Sequence, residues 1–368
     1  MTALPALDAL PPTEEVAVCP VCDSASASSL GATRDRIHDL PGEFGLLRCD
    51  ECGLVRLSPR PVKEGIGYYY PADYYDLFYP ADGGGDGGVD GWLGRLRRRI
   101  GAHLRAVVLD AWGYPTAEAR RLHRLARPLV VPWYRSRVFF GNRGVPRWVE
   151  GGRALDVGCA SGAFLACLKY YGWEVAGVEP DERMAGEVSE RLDCPVFPGE
   201  VTEAPFADGS FDLVHLRDVV EHMYDPVASI RAAAALVKPG GEMFVETPNA
   251  DGVGARQCGP YWYAWESPRH LHLFTPSTLR RVLEEAGLEI EQLTTEPLRD
   301  VYAVEDAFRR EEAATGNDGA GQDGVSRFRI RRSQRPRAAA LAVAAWLRRR
   351  VDPLSGDVLV CRARRPLR

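Results

Sequence analysis

The sequence predicts an α/β protein: a doubly wound, mainly parallel sheet, preceded by a small cysteine-bearing module and an added helical segment. Three observations carry that expectation. From Arg153 onward, short apolar runs alternate with helical stretches, the pattern of successive βαβ units. Near the start, Cys19-Pro-Val-Cys22 and Cys49-Asp-Glu-Cys52 form two C-x2-C pairs. Between these regions lies the arginine-rich, amphipathic run WLGRLRRRIGAHLRAVVL, which reads as helix.

Taken in order, residues 1–17 carry neither a basic n-region nor an apolar core, so they read as a disordered lead and not as a signal peptide. Residues 18–80 hold the cysteine pairs and the tyrosines Tyr68, Tyr69, Tyr70, Tyr74 and Tyr75. A C-x2-C knuckle lets two thiolates reach one metal ion. Two knuckles complete a tetrahedral four-thiolate site for structural Zn2+, with no coordination position left for a substrate. The alternatives are two disulfides or unrelated thiols; disulfides fit poorly with a chain lacking a secretory signal. Cys159, Cys167, Cys194, Cys258 and Cys361 are scattered singly and read as ordinary thiols. Residues 81–91 are glycine-rich and read as a flexible linker. Residues 92–148 read as the helical arginine-rich segment, and 149–368 as the sheet domain. Within that domain, strands are expected at Ala154–Val157, Glu174–Val178, Pro195–Phe197, Asp212–Leu216, Glu242–Glu246, Glu289–Leu293 and Asp357–Arg362. Helices are expected at Ala163–Tyr171, Asp181–Leu192, Pro226–Val237 and Pro276–Ala286, the last with Gly287 as its C-cap. Thr315–Ser326 reads as a polar loop.

Composition excludes several classes. The 368 residues suffice for two or three domains, and 45% hydrophobic content excludes a mainly disordered chain. No apolar run approaches the ~20 residues of a membrane span, so a cytoplasmic protein without stable membrane insertion is expected. With 46 basic against 51 acidic side chains, the net charge of −5 argues against a general nucleic-acid binder. The charge is nonetheless polarised. Residues 92–147 carry 13 arginines against Asp110 and Glu118, and residues 327–368 carry 13 against Asp352 and Asp357. Such tracts could attract an anionic or nucleotide-linked small molecule, or an anionic membrane surface. The plainer alternative is solvated helix faces.

The chemistry concentrates at two places. Leu155-Asp156-Val157-Gly158-Cys159-Ala160-Ser161-Gly162 ends the first expected strand and opens a helix, where glycine permits a tight turn and close backbone approach to a ligand. It is not G-x-G-x-x-G. Glu179, in Gly177-Val178-Glu179-Pro180, closes the second strand, where a carboxylate can accept hydrogen bonds from ribose hydroxyls. In this order and spacing, the sequence resembles the class I S-adenosylmethionine-dependent methyltransferases, with their Rossmann-like sheet, over about residues 150–295. The resemblance implies S-adenosyl-L-methionine as cofactor. Asp156, Gly158, Cys159 and Gly162 would lie in the loop under its methionine part, Glu179 on the ribose, Glu200 and Val201 at the adenine, and Arg217 in the loop after the fourth strand. Ala160 replaces the usual middle glycine. The four-cysteine unit followed by tyrosines is similar to a subgroup of these enzymes with a zinc-binding head, many of which act on sugars or small natural products.

Methyl transfer needs an aligned acceptor and often a group to take its proton. His270 resembles the catalytic histidine of sugar C-methyltransferases, although their neighbouring tyrosine and glutamate become Ser267 and Arg269 here. His222 is the second candidate base or pocket residue; His272 reads as structural. Asp218, Glu221 and His222 are similar to the E-x-x-E-H magnesium site of ubiquinone-pathway O-methyltransferases, so Mg2+ there is the lesser reading. The expected function is methyl transfer to a small molecule of natural-product or sugar type, to oxygen ahead of nitrogen or carbon. The rivals are an RNA-modifying methyltransferase and a non-catalytic, methyltransferase-like binding protein.

Overall fold

The computed structural model describes residues 10–71, 74, 92–115, 120–134, 145–296, 343, 347, 348 and 350–367. The linker expected at 81–91 and the polar loop at 315–326 lie outside the described residues. The chain divides into two compact units. One comprises Met1–Tyr74, Leu216–Ala234 and Val245–Pro366; the other comprises Tyr75–His215, Ala235–Phe244 and Leu367–Arg368.

In the first unit the N-terminal strands are β1 (Thr13–Glu14), β2 (Ala27–Thr33), β3 (Phe44–Cys49), β4 (Val55–Leu57) and β5 (Arg60–Pro61). β1 pairs antiparallel with β5, and Arg56, fully buried, donates to the carbonyls of Val16 and Ala17. The lead expected to be disordered over 1–17 is therefore ordered within its last eight residues; a buried guanidinium needs those carbonyls as acceptors. Both cysteine knuckles close as tight turns, with Asp23 at φ 58° and Gly53 at φ 83° donating their N–H groups to Cys19 and Cys49.

The second unit begins with α1 (Trp92–Ala111) and α2 (Arg120–Tyr134), which pack on each other. Its strands are β6 (Arg153–Val157), β7 (Glu174–Glu179) and β8 (Val196–Pro198). β9 (Phe211–Arg217) and β10 (Val237–Pro248) pass from one unit to the other along the chain. Two-residue β11 (His272–Leu273), then β12 (Glu289–Glu296) and β13 (Val358–Arg364), complete the strands. The seven-stranded sheet has the order β12-β13-β10-β9-β6-β7-β8. β6, β7 and β8 run parallel, whereas β12 and β13 are antiparallel. Ala154, Leu155 and Val157 of β6, Leu213, Val214 and Leu216 of β9, and Met243, Phe244 and Val245 of β10 are all buried. Such continuous apolar runs belong to strands covered on both faces.

The connecting helices follow their end signals. These are α3 (Ala163–Tyr170), α4 (Glu182–Leu192), α5 (Pro226–Leu236), α6 (Val253–Cys258) and α7 (Pro276–Glu285). Asp181 caps α4 by accepting from the Met184 N–H, and Thr275 with Thr278 forms a capping box on α7. Gly287, at φ 84°, donates its N–H to Glu284 just beyond α7.

The cysteine module does not close on itself. Its sheet has the order β11-β4-β3-β2, so the last strand comes from residues 272–273. Phe44, Leu46, Val55, Leu57 and Tyr69 share one core with Ala250, Val253, Trp262, Trp265, Leu271 and Leu273. The first unit's opening segment ends at Tyr74, near the boundary expected at residue 80, but within that unit the module shares its core with later residues, because three short strands cannot bury their apolar face alone. A buried ion pair lies within this unit. Arg269 and Asp35 both have fully buried side chains. Arg269 donates through Nη1 and Nη2 to the two Asp35 oxygens at 3.0 and 2.8 Å, and through Nη1 to the Tyr69 carbonyl at 2.8 Å. Asp35 also accepts from the backbone N–H groups of Ile37 and His38. Asp35→Ala would strip the buried guanidinium of its bidentate carboxylate and should cost about 3–5 kcal/mol, read as a lower urea midpoint; an unchanged midpoint would contradict this account of the pair.

Candidate active site

The loop after β6 turns sharply into α3. Gly158 (φ 70°) and Gly162 (φ 67°) adopt left-handed backbone, and a Cβ at Gly162 would come within 2.6 Å of Val188 Cγ1. Ala160, which stands where a glycine is usual, has a φ of 44°. A residue with a Cβ is strained there, and the Ala160 N–H donates to Glu179 Oε2 at 2.8 Å. The other oxygen, Oε1, accepts from the Asp181 N–H at 3.1 Å. Glu179 therefore ties the glycine loop to the carboxyl end of β7, and each of its oxygens keeps a second lone pair for a hydroxyl donor. Burial raises its pKa, partly offset by these two N–H groups.

The other expected cofactor residues take varied positions. Asp156 is buried and accepts from His215, with Oδ1 2.6 Å from Nδ1, while the His215 ring stacks between Phe164 and Phe244. Cys159 is buried, and burial pushes its thiol well up. Val201 is buried and Glu200 half-buried. Arg217 belongs to the first unit, where its Nε lies 3.4 Å from Asp218 and 3.6 Å from Glu246.

The first unit contains the chemical cluster. Glu221 follows β9, and the segment after β10 supplies Glu266, Arg269 and His270. The rings of His222 and His270 meet edge to face, with centroids 4.6 Å apart. His270 Nδ1 lies 2.7 Å from the Ala264 carbonyl, and His222 Nδ1 lies 3.1 Å from the Arg269 carbonyl and 3.0 Å from the Tyr70 hydroxyl. A carbonyl only accepts, so both Nδ1 atoms carry a proton and each neutral ring keeps its lone pair on Nε2. Nε2 of His270 is 3.5 Å from Glu266 Oε2 and 4.0 Å from Glu221 Oε1. Glu221 is fully buried; its Oε2 accepts from Thr247 at 2.9 Å, while its Oε1 has no hydrogen-bond partner among the described residues. Glu266 (φ 33°) accepts from the Tyr74 hydroxyl at 2.8 Å and faces Arg269 Nε at 3.3 Å.

Burial lowers both histidines to about 3; the neighbouring His270 adds to the effect on His222, and Arg269 to that on His270. Burial, then Asp218, raises Glu221 well above the carboxylate range. The cluster thus holds neutral imidazoles beside a carboxyl group that resists ionisation. Glu221, His222 and His270 also bring ligand atoms within 4.8 Å of one another, so the trio expected to hold a cation exchanges Asp218 for His270. Two imidazoles and one carboxylate suit a transition ion better than Mg2+.

Sequence reasoning singled out the tyrosines but passed over Asp35 and gave Glu266 no role. The carboxylate taken to be lost at Ser267 and Arg269 is supplied by Glu266, next in the chain to Ser267. Tyr70 and Tyr74 meet the cluster within their own unit.

At the four-cysteine site, all Sγ atoms lie within 4.8 Å of one another, with Cys19–Cys52 at 3.5 Å and Cys22–Cys49 at 3.4 Å. All four are free thiols. The spacing approaches the ~3.8 Å between thiolates bound at ~2.3 Å around a tetrahedral zinc, so the donor set fits that ion.

His272, on β11, is buried and likewise lowered to about 3, by burial and then by Arg60. Between pH 6.5 and about 3 the unfolded chain binds a proton that this folded ring refuses, so its contribution is full above 6.5 and declines as pH falls. The gap in unfolding midpoint between the wild type and His272→Asn should therefore narrow from pH 7 to pH 5; a constant gap would refute the shift.

Residues 135–293 match the family described as a methyltransferase domain. The ubiquinone biosynthesis O-methyltransferase of Thiobacillus denitrificans is 31% identical over 210 residues, covering 53% of this chain and 86% of that protein. Its counterpart in Aromatoleum aromaticum is 30% identical over 209 residues, covering 52% and 85%. Among solved structures, a SAM-dependent methyltransferase of Methanosarcina mazei aligns over 60% of this chain and 95% of its own, at 14% identity and a TM-score of 0.39. With the strand order and the glycine loop, the relatives' identity and coverage place this chain in the class I S-adenosylmethionine-dependent methyltransferases.

Proposed function

We propose that the enzyme methylates a hydroxyl oxygen of a small molecule and that the Glu266–His270 pair, with His222 and Glu221, receives the acceptor's proton. The observation that carries this reading is the buried, neutral His270, whose Nε2 lone pair faces Glu266 and whose Nδ1 is anchored by a backbone carbonyl. S-adenosylmethionine, when bound, supplies an electrophilic methyl group on a sulfonium. Gly158, Cys159 and Gly162 would approach it by backbone, Glu179 would accept from the ribose hydroxyls, and Glu200 with Val201 would meet the adenine. Asp156 would act through His215 by fixing the loop. Glu266 steadies the positive charge that His270 acquires as it takes a proton, while burial around both excludes water. Tyr74 orients Glu266, and Tyr70 orients His222.

The names of the relatives support oxygen as the acceptor atom and ubiquinone biosynthesis as one setting for this chemistry. They give no support to the natural-product or sugar acceptor expected from the subgroup resemblance. Zn2+ held by Cys19, Cys22, Cys49 and Cys52 has a structural part in this proposal, since four thiolates leave no position for substrate.

Incubation with methyl-labelled S-adenosylmethionine and extract of the source organism should yield a product labelled on oxygen. A label on nitrogen or carbon would overturn the oxygen assignment. Glu179→Ala should weaken cofactor binding by calorimetry at least about tenfold, the loss expected for one charge-assisted hydrogen-bonding group; unchanged affinity would remove Glu179 from the cofactor site. Metal analysis under reducing conditions should find about one zinc per chain, falling in Cys19→Ser and Cys49→Ser variants. Full occupancy in both variants would place the ion elsewhere.

A further inference from the structure

The arginine-rich helices α1 and α2 lie outside the cofactor loop and the histidine cluster, and the proposed chemistry leaves them without a role. Together they contain nine arginines and a single acidic residue, Asp110. That residue is already taken, since Arg127 donates to its carboxylate at 2.8 Å. The inner side of α1 is spent on the core through Val107, Val108 and Leu109. The outer side is unusual. Leu125 and Leu129 of α2 are 79% and 81% exposed, and Leu96 and Ile100 of α1 are 45% and 49% exposed. Each pair has i, i+4 spacing, so it forms one stripe along its helix. Exposed Arg95, Arg99 and Arg124 directly precede Leu96, Ile100 and Leu125.

We propose that the α1–α2 pair docks this chain on an anionic lipid surface, with the arginines at the headgroups and Leu96, Ile100, Leu125 and Leu129 entering the acyl boundary. Charge selects this occupant. A second copy of the chain would bring two arginine faces together. Residues 327–350 of the same chain carry nine arginines and no acid, so they too are repelled. A nucleic-acid backbone would satisfy the arginines but leave the leucines in water. An anionic bilayer answers both, because basic amphipathic helices bind by charge and by shallow burial of their apolar residues. Each arginine near such a surface adds about fivefold to binding. The contact is peripheral: among the described residues no helix is long and apolar enough to cross a membrane.

The test uses the full-length protein and vesicles of phosphatidylcholine, with or without phosphatidylglycerol, in a sedimentation assay. Binding is expected only with phosphatidylglycerol and should weaken as salt rises. Leu125→Gln with Leu129→Gln, which leaves the charge unchanged, should weaken it about tenfold or more; Arg95→Ser with Arg99→Ser and Arg124→Ser should abolish it. S-adenosylmethionine affinity, measured on each variant, checks that the fold is intact. Equal binding to neutral vesicles, no binding to either, or a leucine variant that binds like wild type would overturn the proposal. So would tighter binding to an RNA homopolymer than to the anionic vesicles, with the leucine variant unaffected. None of these outcomes depends on the methyl acceptor.

Discussion

The cluster proposed to handle the acceptor's proton depends on one buried ion pair. Arg269 sits one residue before His270, and its guanidinium is divided between Asp35, Glu266 and the Tyr69 carbonyl. A guanidinium removed from water is stable only when its donors are met in a fixed fork, and a bidentate carboxylate is the partner that matches it. Fixing Arg269 fixes its own carbonyl, which holds His222, and it sets the field felt by His270 and Glu266. Asp35 therefore connects the cysteine module to the proposed chemistry without touching an acceptor.

This dependence explains why the two sites are built differently. The cofactor loop is local, with Ala160 and Glu179 joined across neighbouring parallel strands by one hydrogen bond. The histidine cluster draws on residues near 35, 70, 221 and 266, so it forms only once distant segments have packed. Neutral histidines and a Glu221 that resists ionisation are the cost of that burial.

The local site was legible in the sequence. Gly158, Gly162 and Glu179 are spaced by the βαβ repeat itself, and the expected strands from Ala154 to Arg362 all form, although β10 starts five residues before its expected Glu242 and β12 runs three residues past Leu293. The cluster was only half legible. His222 and His270 stood out by residue type, yet nothing local marks Asp35 as the partner of Arg269, because that pairing spans more than 200 positions. Glu266 was hidden by register: a left-handed backbone at that residue turns its carboxylate to the place where a neighbouring position was expected to act. The pairing of β4 with β11 was hidden for a related reason, since apolar periodicity shows that a strand will pair but not with which distant strand.

That distant strand has a consequence for biosynthesis. The two cysteine knuckles are complete by Leu54, but β4 meets β11 only when residues 272–273 have been made. At ~5–20 residues per second, the unpaired edge waits roughly 10 to 40 s on the ribosome. Metal capture by the knuckles needs only local turns and can come first. An early-loaded ion would then act as a scaffold, holding β3 and β4 in register until the rest of the chain arrives.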